Sequence, residues 1–436
     1  MIKLDLYYSR FWGYAQKIRK SVLIGKSFWA PDTGGSDVDP SNLIEKDRVS
    51  VFLARYRKLL YVDNSDESST LQVARWYNSN FLATSEVGVV IVKYAKSLRK
   101  VTTSLDKLGI PYLAINSFTE LDLKNVSHIF YVFNSASNSL LMVNRTPLHV
   151  FLGHGQSEKG ACEHPMLRMY DYIGVAGPRA KEKLVLSSIL SQSDVASRCI
   201  QIGMPYMPRR ERDGRPGSLI YAPTWEGGMP EQEYSSLPFG KTQQYFLDLV
   251  EKNDIQVVVI RPHPSTAIKN RNYVVYLNDL IMALYNRFGD DGIAIEVELQ
   301  SGSNIARRFQ SSKLTKRLPA SIIIREVNVL NLAEYEFVLA DISAVATEAA
   351  ALGLKLHVLV AQLSDLQVAR NRYKDVIYVG LESSEDLSWP SMTKFKISDV
   401  NTPEVGYEHE SWEKLQPDIL FREVVLEMTR RESNLK

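Results

Sequence analysis

A chain of 436 residues is longer than one hydrophobic core ordinarily serves, so two domains are expected. Its 45% hydrophobic and 23% charged residues give a soluble globular balance, and a net charge of +2 is too small to mark a nucleic-acid binder. The two cysteines, Cys162 and Cys199, lack metal-ligand or CxxC spacing, which gives a disulfide framework or zinc site little support and fits a reducing cytoplasm.

The N-terminus shows no signal peptide, and no apolar run of about 18 residues is long enough to span a bilayer. In the first 31 residues, Lys3, Arg10, Lys17, Arg19, Lys20 and Lys26 face a single acid, Asp5, with Phe11, Trp12, Tyr14, Phe28 and Trp29 interleaved. Basic residues mixed with interfacial aromatics suit a helix lying on an anionic membrane surface. The same pattern suits an amphipathic helix packed on the protein, and that plainer reading is slightly favoured. Residues 1–85 are therefore set apart as an N-terminal extension, a membrane-surface or lid region. The expected location is cytoplasmic, with peripheral attachment to the inner face of the membrane as an option.

From residue 86 short apolar runs alternate with helical stretches. VGVVIV, PYLAI, HIFYVF (128–133), PLHVFLGHG (147–155) and YDYIGVAG (170–177) read as strands. Continuous rather than alternating apolar runs indicate strands covered on both faces, as in parallel sheets. GMPYMPRRERDGRPG is rich in proline, glycine and charge, and places a linker at 205–217. A second series follows: SLIYAPTW (218–225), IQVVVIRPHP (255–264), IAIEV (293–297), ASIIIREV (320–327), EFVLAD (336–341) and LHVLV (356–360). The expectation is an α/β chain of GT-B type, with two Rossmann-like domains facing across a cleft, at 86–204 and 218–410. A C-terminal helix is expected within 411–436. In open parallel sheets ligands lie outside the carboxyl ends of the strands, so strand-terminal residues become the candidates.

In FLGHGQSEKG (151–160), His154 stands between two glycines that remove Cβ atoms from a ligand's path. Histidine is the only side chain whose unperturbed pKa lies near neutrality, and Gly155 and Lys159 are candidates for an anion or acceptor. A tight turn after a core strand explains the same residues equally well. IRPHPST (260–266) holds Arg261 and His263 among two prolines, a stiff loop suited to gripping a phosphate. In YEFVLADISAVATEAAALG (335–353), a strand runs into an alanine-rich helix. Asp341 and Ser343 sit where a cap is expected, and the helix start also makes an anion site. Ser343, Thr347 and backbone amides are candidates for a diphosphate, and Glu348 for vicinal ribose hydroxyls. YAPTWEG (221–227) offers Tyr221, Thr224 and Trp225 around a base, or as interface filling. IARRFQSSKLTKRLPAS (305–321) carries Arg307 and Arg308 in an acid-free basic run, suited to a polyanionic acceptor or simply solvated.

Taken in order, HG with a lysine five residues on, YAPTW, a strand ending in HP, and a strand leading into D-x-S-x-V resemble the CDP-glycerol glycerophosphotransferase family. The resemblance covers roughly residues 85–385. It implies a GT-B fold and a CDP-activated polyol phosphate as donor, in teichoic acid or capsule-type polymer synthesis. His154 would match the catalytic base and His263 a histidine at the donor phosphates. Asp341, Ser343 and Glu348 would fall in the donor-binding segment, Glu348 at the ribose. Three positions depart from the pattern: Gly153 replaces a frequent aromatic, Glu226 a frequent arginine and Ala344 a usual second serine.

The reaction expected from this set is transfer of a polyol phosphate to the hydroxyl of a lipid-linked or polymeric acceptor, with release of CMP. No nucleic-acid partner is expected, and the sequence leaves the oligomeric state open. No carboxylate cluster marks a dedicated metal site, so no cofactor is required by the sequence; Mg²⁺ would come with the nucleotide. A nucleotide-sugar glycosyltransferase or UDP-sugar epimerase on the same fold is the alternative, and a non-catalytic binding protein is a more distant one.

Overall fold

The computed structural model describes residues 45–63, 67–92, 98–115, 117–153, 155, 164–207, 214–227, 234–289, 292–360, 376–380 and 417–435. The chain divides into two compact units, one formed by residues up to 70 with 83–149, the other by 71–82 with 150 to the end.

The first unit contains α1 (Glu45–Arg55), β1 (Lys58–Val62), the start of α2 (Glu67–Asn78), β2 (Val87–Val92), α3 (Leu98–Lys107), β3 (Tyr112–Ile115), β4 (His128–Tyr131) and α4 (Asn138–Met142). Its strands are parallel and ordered β3-β2-β1-β4, with Leu60 opposite both Val89 and Phe130. β1 is thus a central strand, and the sheet begins well before residue 86. The expected extension over 1–85 is corrected accordingly from residue 45 onward. KLLYV is only five residues long and lies between charged segments, so its apolar run is too short to stand out. Gly88 interrupts β2 for a packing reason: a Cβ there would fall 2.5 Å from the ring of Phe52 on α1. The aromatic segment within 1–31 lies outside the described residues.

β5 (Leu148–Phe151) leads into the second unit, where it pairs in parallel with β6 (Tyr172–Val175). After α5 (Pro178–Leu186) and α6 (Gln192–Arg198), β7 (Cys199–Gln201) joins β6. The remaining elements are β8 (Arg215–Ala222), α7 (Gly240–Lys252), β9 (Val257–Ile260), α8 (Asn272–Phe288), β10 (Ala294–Leu299), α9 (Asn304–Ser311), β11 (Ile323–Glu326), β12 (Tyr335–Asp341), α10 (Ala344–Ala351), β13 (Lys355–Val360), β14 (Val376–Gly380) and α11 (Pro417–Leu435). β8 starts at Arg215, so the last three residues of the expected linker already belong to a strand.

The strands β8 to β14 form one parallel sheet, ordered β11-β10-β9-β8-β12-β13-β14. Alternation along β8 sends Leu219 and Tyr221 to a core with Phe246, Leu277 and Ile281 of α7 and α8. Ile220 faces the opposite side, with Val338, Ala346 and Ala349. Both faces are covered, which is why these strands read as unbroken apolar runs. α11 lies against β6 and α6: Tyr172 Oη donates to the Met428 carbonyl at 3.3 Å, and Arg431 reaches the carbonyls of Ala196 and Ser197. The rings of Phe421 and Phe81 meet edge to face at 5.3 Å. The protein is thus α/β, built on parallel sheets of the Rossmann-like kind. Among the described residues, no helix is long and apolar enough to cross a membrane.

Candidate active site

Strand order reverses between β8 and β12, and their carboxyl ends frame the crevice where ligands of open α/β sheets collect. Asp341, the last residue of β12, is fully buried there, and its Oδ2 accepts the Thr224 N–H at 2.7 Å. The Thr224 carbonyl in turn accepts from Ser235 Oγ. Both residues hold together the two strand ends that bound the crevice.

The loop after β9 is ordered by an acid. Glu226, 6% exposed, accepts three backbone N–H groups, from Ala267 at 3.0 Å, Lys269 at 2.7 Å and Asn270 at 3.1 Å. Arg308, on α9, donates to the carbonyls of Ala267 and Ile268. Carboxylate and guanidinium thus satisfy donors and acceptors of one short segment. His263, exposed at the head of this loop, lies parallel to the Trp225 ring at 6.1 Å, and its Nδ1 accepts the Ser265 N–H. The ring is oriented from two sides, by the indole and by the Ser265 amide.

Arg261 is placed differently from the sequence expectation of a phosphate fork. It is 9% exposed, paired with Glu298 of β10 at 2.8 Å and bonded to the Val327 carbonyl. Its guanidinium braces neighbouring strands. Tyr221, expected at the donor, is a core residue instead: fully buried, it bonds Ser236 Oγ at 2.6 Å and packs edge to face on Phe246. Burial, with the charge of Asp341 nearby, pushes its phenol well above the usual range. The strand's two-residue alternation decides this outcome. Arg307 is exposed on α9 and bonds Asn304.

The segment after β12 folds as the helix start that its sequence suggests. Ser343 has extended backbone angles, and its Oγ caps the Ala346 N–H at 3.4 Å. Thr347 Oγ1 turns back to the Ser343 carbonyl at 3.4 Å. The first turn is small-residued, and the strand-end loop after β5 comes close to it. A Cβ added to Gly155 would stand 3.3 Å from that of Ala344, and the φ of +152° at Gly155 disfavours any side chain. His154 and Lys159 lie outside the described residues.

Glu348, 8% exposed on α10, carries the largest surprise: its Oε1 is held by Arg75 Nη2 at 2.9 Å. The partners are 273 residues apart in the chain. Arg75 comes from α2, within the sequence span expected to form an extension. Its guanidinium also lies over the Tyr206 ring at 4.5 Å. Burial draws the Arg75 pKa down, but the Glu348 charge, helped by Tyr206 and the hydrogen bond, more than offsets this and leaves it raised. The next residue, Trp76, donates Nε1–H to the Gly153 carbonyl at 3.2 Å. No sequence motif signalled either residue; the only hint is an arginine beside two aromatics in VARWYN.

In the first unit, the analogous reversal lies between β1 and β4. Asp63, just past β1, accepts from Ser135 Oγ at 2.6 Å and from Ser137 Oγ. Among the described residues, no group of three or more His, Cys, Asp or Glu is gathered as metal ligands.

No known protein family matches the chain, and no curated protein does. Solved structures show distant likenesses. A Staphylococcus aureus MnaA–UDP structure is 10% identical with a TM-score of 0.43, over 75% of this chain and 84% of that one. A Neisseria meningitidis UDP-GlcNAc 2-epimerase bound to UDP-GlcNAc is 11% identical with a TM-score of 0.42, over 86% and 100%. The wall teichoic acid polymerase TagF with CDPG is 10% identical with a TM-score of 0.35, over 71% and 72%.

Proposed function

We propose that the protein is a nucleotide-dependent transferase that moves a polyol phosphate from a CDP-activated donor to an acceptor hydroxyl, releasing CMP. The observation that carries the proposal is the approach of Gly155, just past β5, to Ala344 in the first turn of α10, at the reversal point of a parallel sheet. A helix start of this kind favours a diphosphate, through its amides and its positive end. The motif resemblance supplies the finer reading of the donor as CDP-linked and of the unit as glycerol phosphate or a related polyol phosphate.

In this scheme His154 takes the proton of the acceptor hydroxyl as its oxygen attacks the donor's β-phosphorus. The new P–O bond forms as the bond from that phosphorus to the bridging oxygen breaks. The electron pair leaves with CMP. General-base assistance contributes about 10² to 10⁴-fold, and positioning and charge stabilisation supply the rest. The oriented Nε2 of His263, the Ser343 hydroxyl and the start of α10 would stabilise the leaving phosphate. Arg261 has no direct part, given its pairing with Glu298. Any Mg²⁺ would arrive on the diphosphate. The acceptor we propose is a lipid-linked or polymeric hydroxyl compound at the membrane's inner face.

The test is release of CMP from CDP-glycerol and CDP-ribitol, with UDP-sugars in parallel, by the wild type and His154→Ala. Acceptor-dependent CMP release that falls at least a hundredfold in the variant supports the scheme. Turnover of UDP-sugars alone would replace it with a glycosyltransferase or epimerase on the same fold.

A further inference from the structure

Glu348 stands one turn inside α10, and helical side chains tilt toward the N-terminus, so its carboxylate leans back toward the turn capped by Ser343. A carboxylate in that position opposes any anion bound at the helix start unless a cation accompanies it. Arg75 supplies that cation. Its Nη2 is 2.9 Å from Oε1, its guanidinium rests on the Tyr206 ring, and the side chains of Arg75 and Glu348 are only 29% and 10% exposed. The adjoining Trp76 is anchored to the Gly153 carbonyl and packs on Tyr206 at 4.9 Å. One turn of α2 is therefore fixed to the strand-end loop and to α10 together.

We propose that Arg75 is a positioning residue that fixes the Glu348 carboxylate through Oε1, so that Oε2 accepts from the vicinal hydroxyls of a ribose. It thereby sets a preference for ribonucleotides over 2′-deoxyribonucleotides. The inference rests on the nucleotide reading above and goes beyond it by assigning sugar selectivity to a residue outside every motif. Hydrogen bonds to a carboxylate are roughly twice as strong as neutral ones, so loss of its fixed orientation is expected to lower selectivity about tenfold. Effects of Arg75 on phosphate affinity act on both sugars alike and cancel in the ratio.

The experiment is calorimetric binding of CDP, UDP, 2′-deoxy-CDP and 2′-deoxy-UDP to the full chain, as wild type, Arg75→Gln, Arg75→Lys and Glu348→Gln. Thermal unfolding of each variant is recorded beside it. The expected result is a ribo preference of at least tenfold in the wild type, lost in Arg75→Gln and Glu348→Gln and partly restored by Arg75→Lys. An unchanged ratio in Arg75→Gln, with or without a lower unfolding temperature, overturns the proposal and leaves the pair a structural pin. Equal binding of both sugars by the wild type overturns the role of Glu348 while the nucleotide reading stands. A wild type that binds none of the four removes that reading and this proposal with it.

Discussion

His128 illustrates how burial turns one residue into a pH-dependent contribution to stability. It sits on β4 at 5% exposure, and desolvation, with Lys58 adding repulsion, lowers its pKa from 6.5 to about 4. The unfolded chain therefore binds a proton between pH 6.5 and 4 that the folded chain refuses. The stability contribution is intact above pH 6.5 and is lost as pH falls toward 4, by up to about 3 kcal/mol. Chemical denaturation at pH 7 and pH 4.5 is expected to show this loss in the wild type and a smaller one in His128→Gln; equal losses would contradict it. His357, bonded to Tyr245 at 2.7 Å, is likewise lowered to about 4 by burial and adds in the same direction. Arg261 gives a charge counterpart. Arg261→Ala would leave Glu298 nearly buried without its cation, and a cost of about 3–5 kcal/mol is expected in urea unfolding.

The loop after β9 shows an element set by a residue from another strand end. Glu226 was legible in the sequence only as an acid where the resembling family often has arginine. In the fold its carboxylate gathers three N–H groups, that of the fully buried Ala267 among them. Glu226→Gln replaces one acceptor oxygen with a donor facing other donors. We expect a loss of about 2–3 kcal/mol, with faster hydrogen exchange at Ala267, Lys269 and Asn270. Unchanged exchange at those amides would show that the loop holds itself. The α10 start, by contrast, was readable in advance, because strand, cap and small-residue helix are contiguous in sequence. β1 was not, since five residues carry too little periodicity to register.

At the scale of the molecule, two compact units predict that heating gives more than one transition rather than a single two-state event. Saturating CDP, at a hundredfold over its Kd, is expected to stabilise by about 2.7 kcal/mol only the transition of the unit holding residues 71–82 and 150 onward. A uniform shift of all transitions in scanning calorimetry would oppose that placement. The sequence by itself determined the α/β class, most strands of the second sheet, the cap at Ser343 and the candidate strand ends. Those features depend on the spacing of neighbouring residues, which a linear chain displays. Tertiary structure alone decided that Tyr221 is core, that Arg261 serves Glu298, that Glu226 organises the His263 loop, and that Arg75 meets Glu348. Each is a pairing between distant segments, fixed by which strands lie side by side and which face a side chain takes, and local pattern carries no record of either.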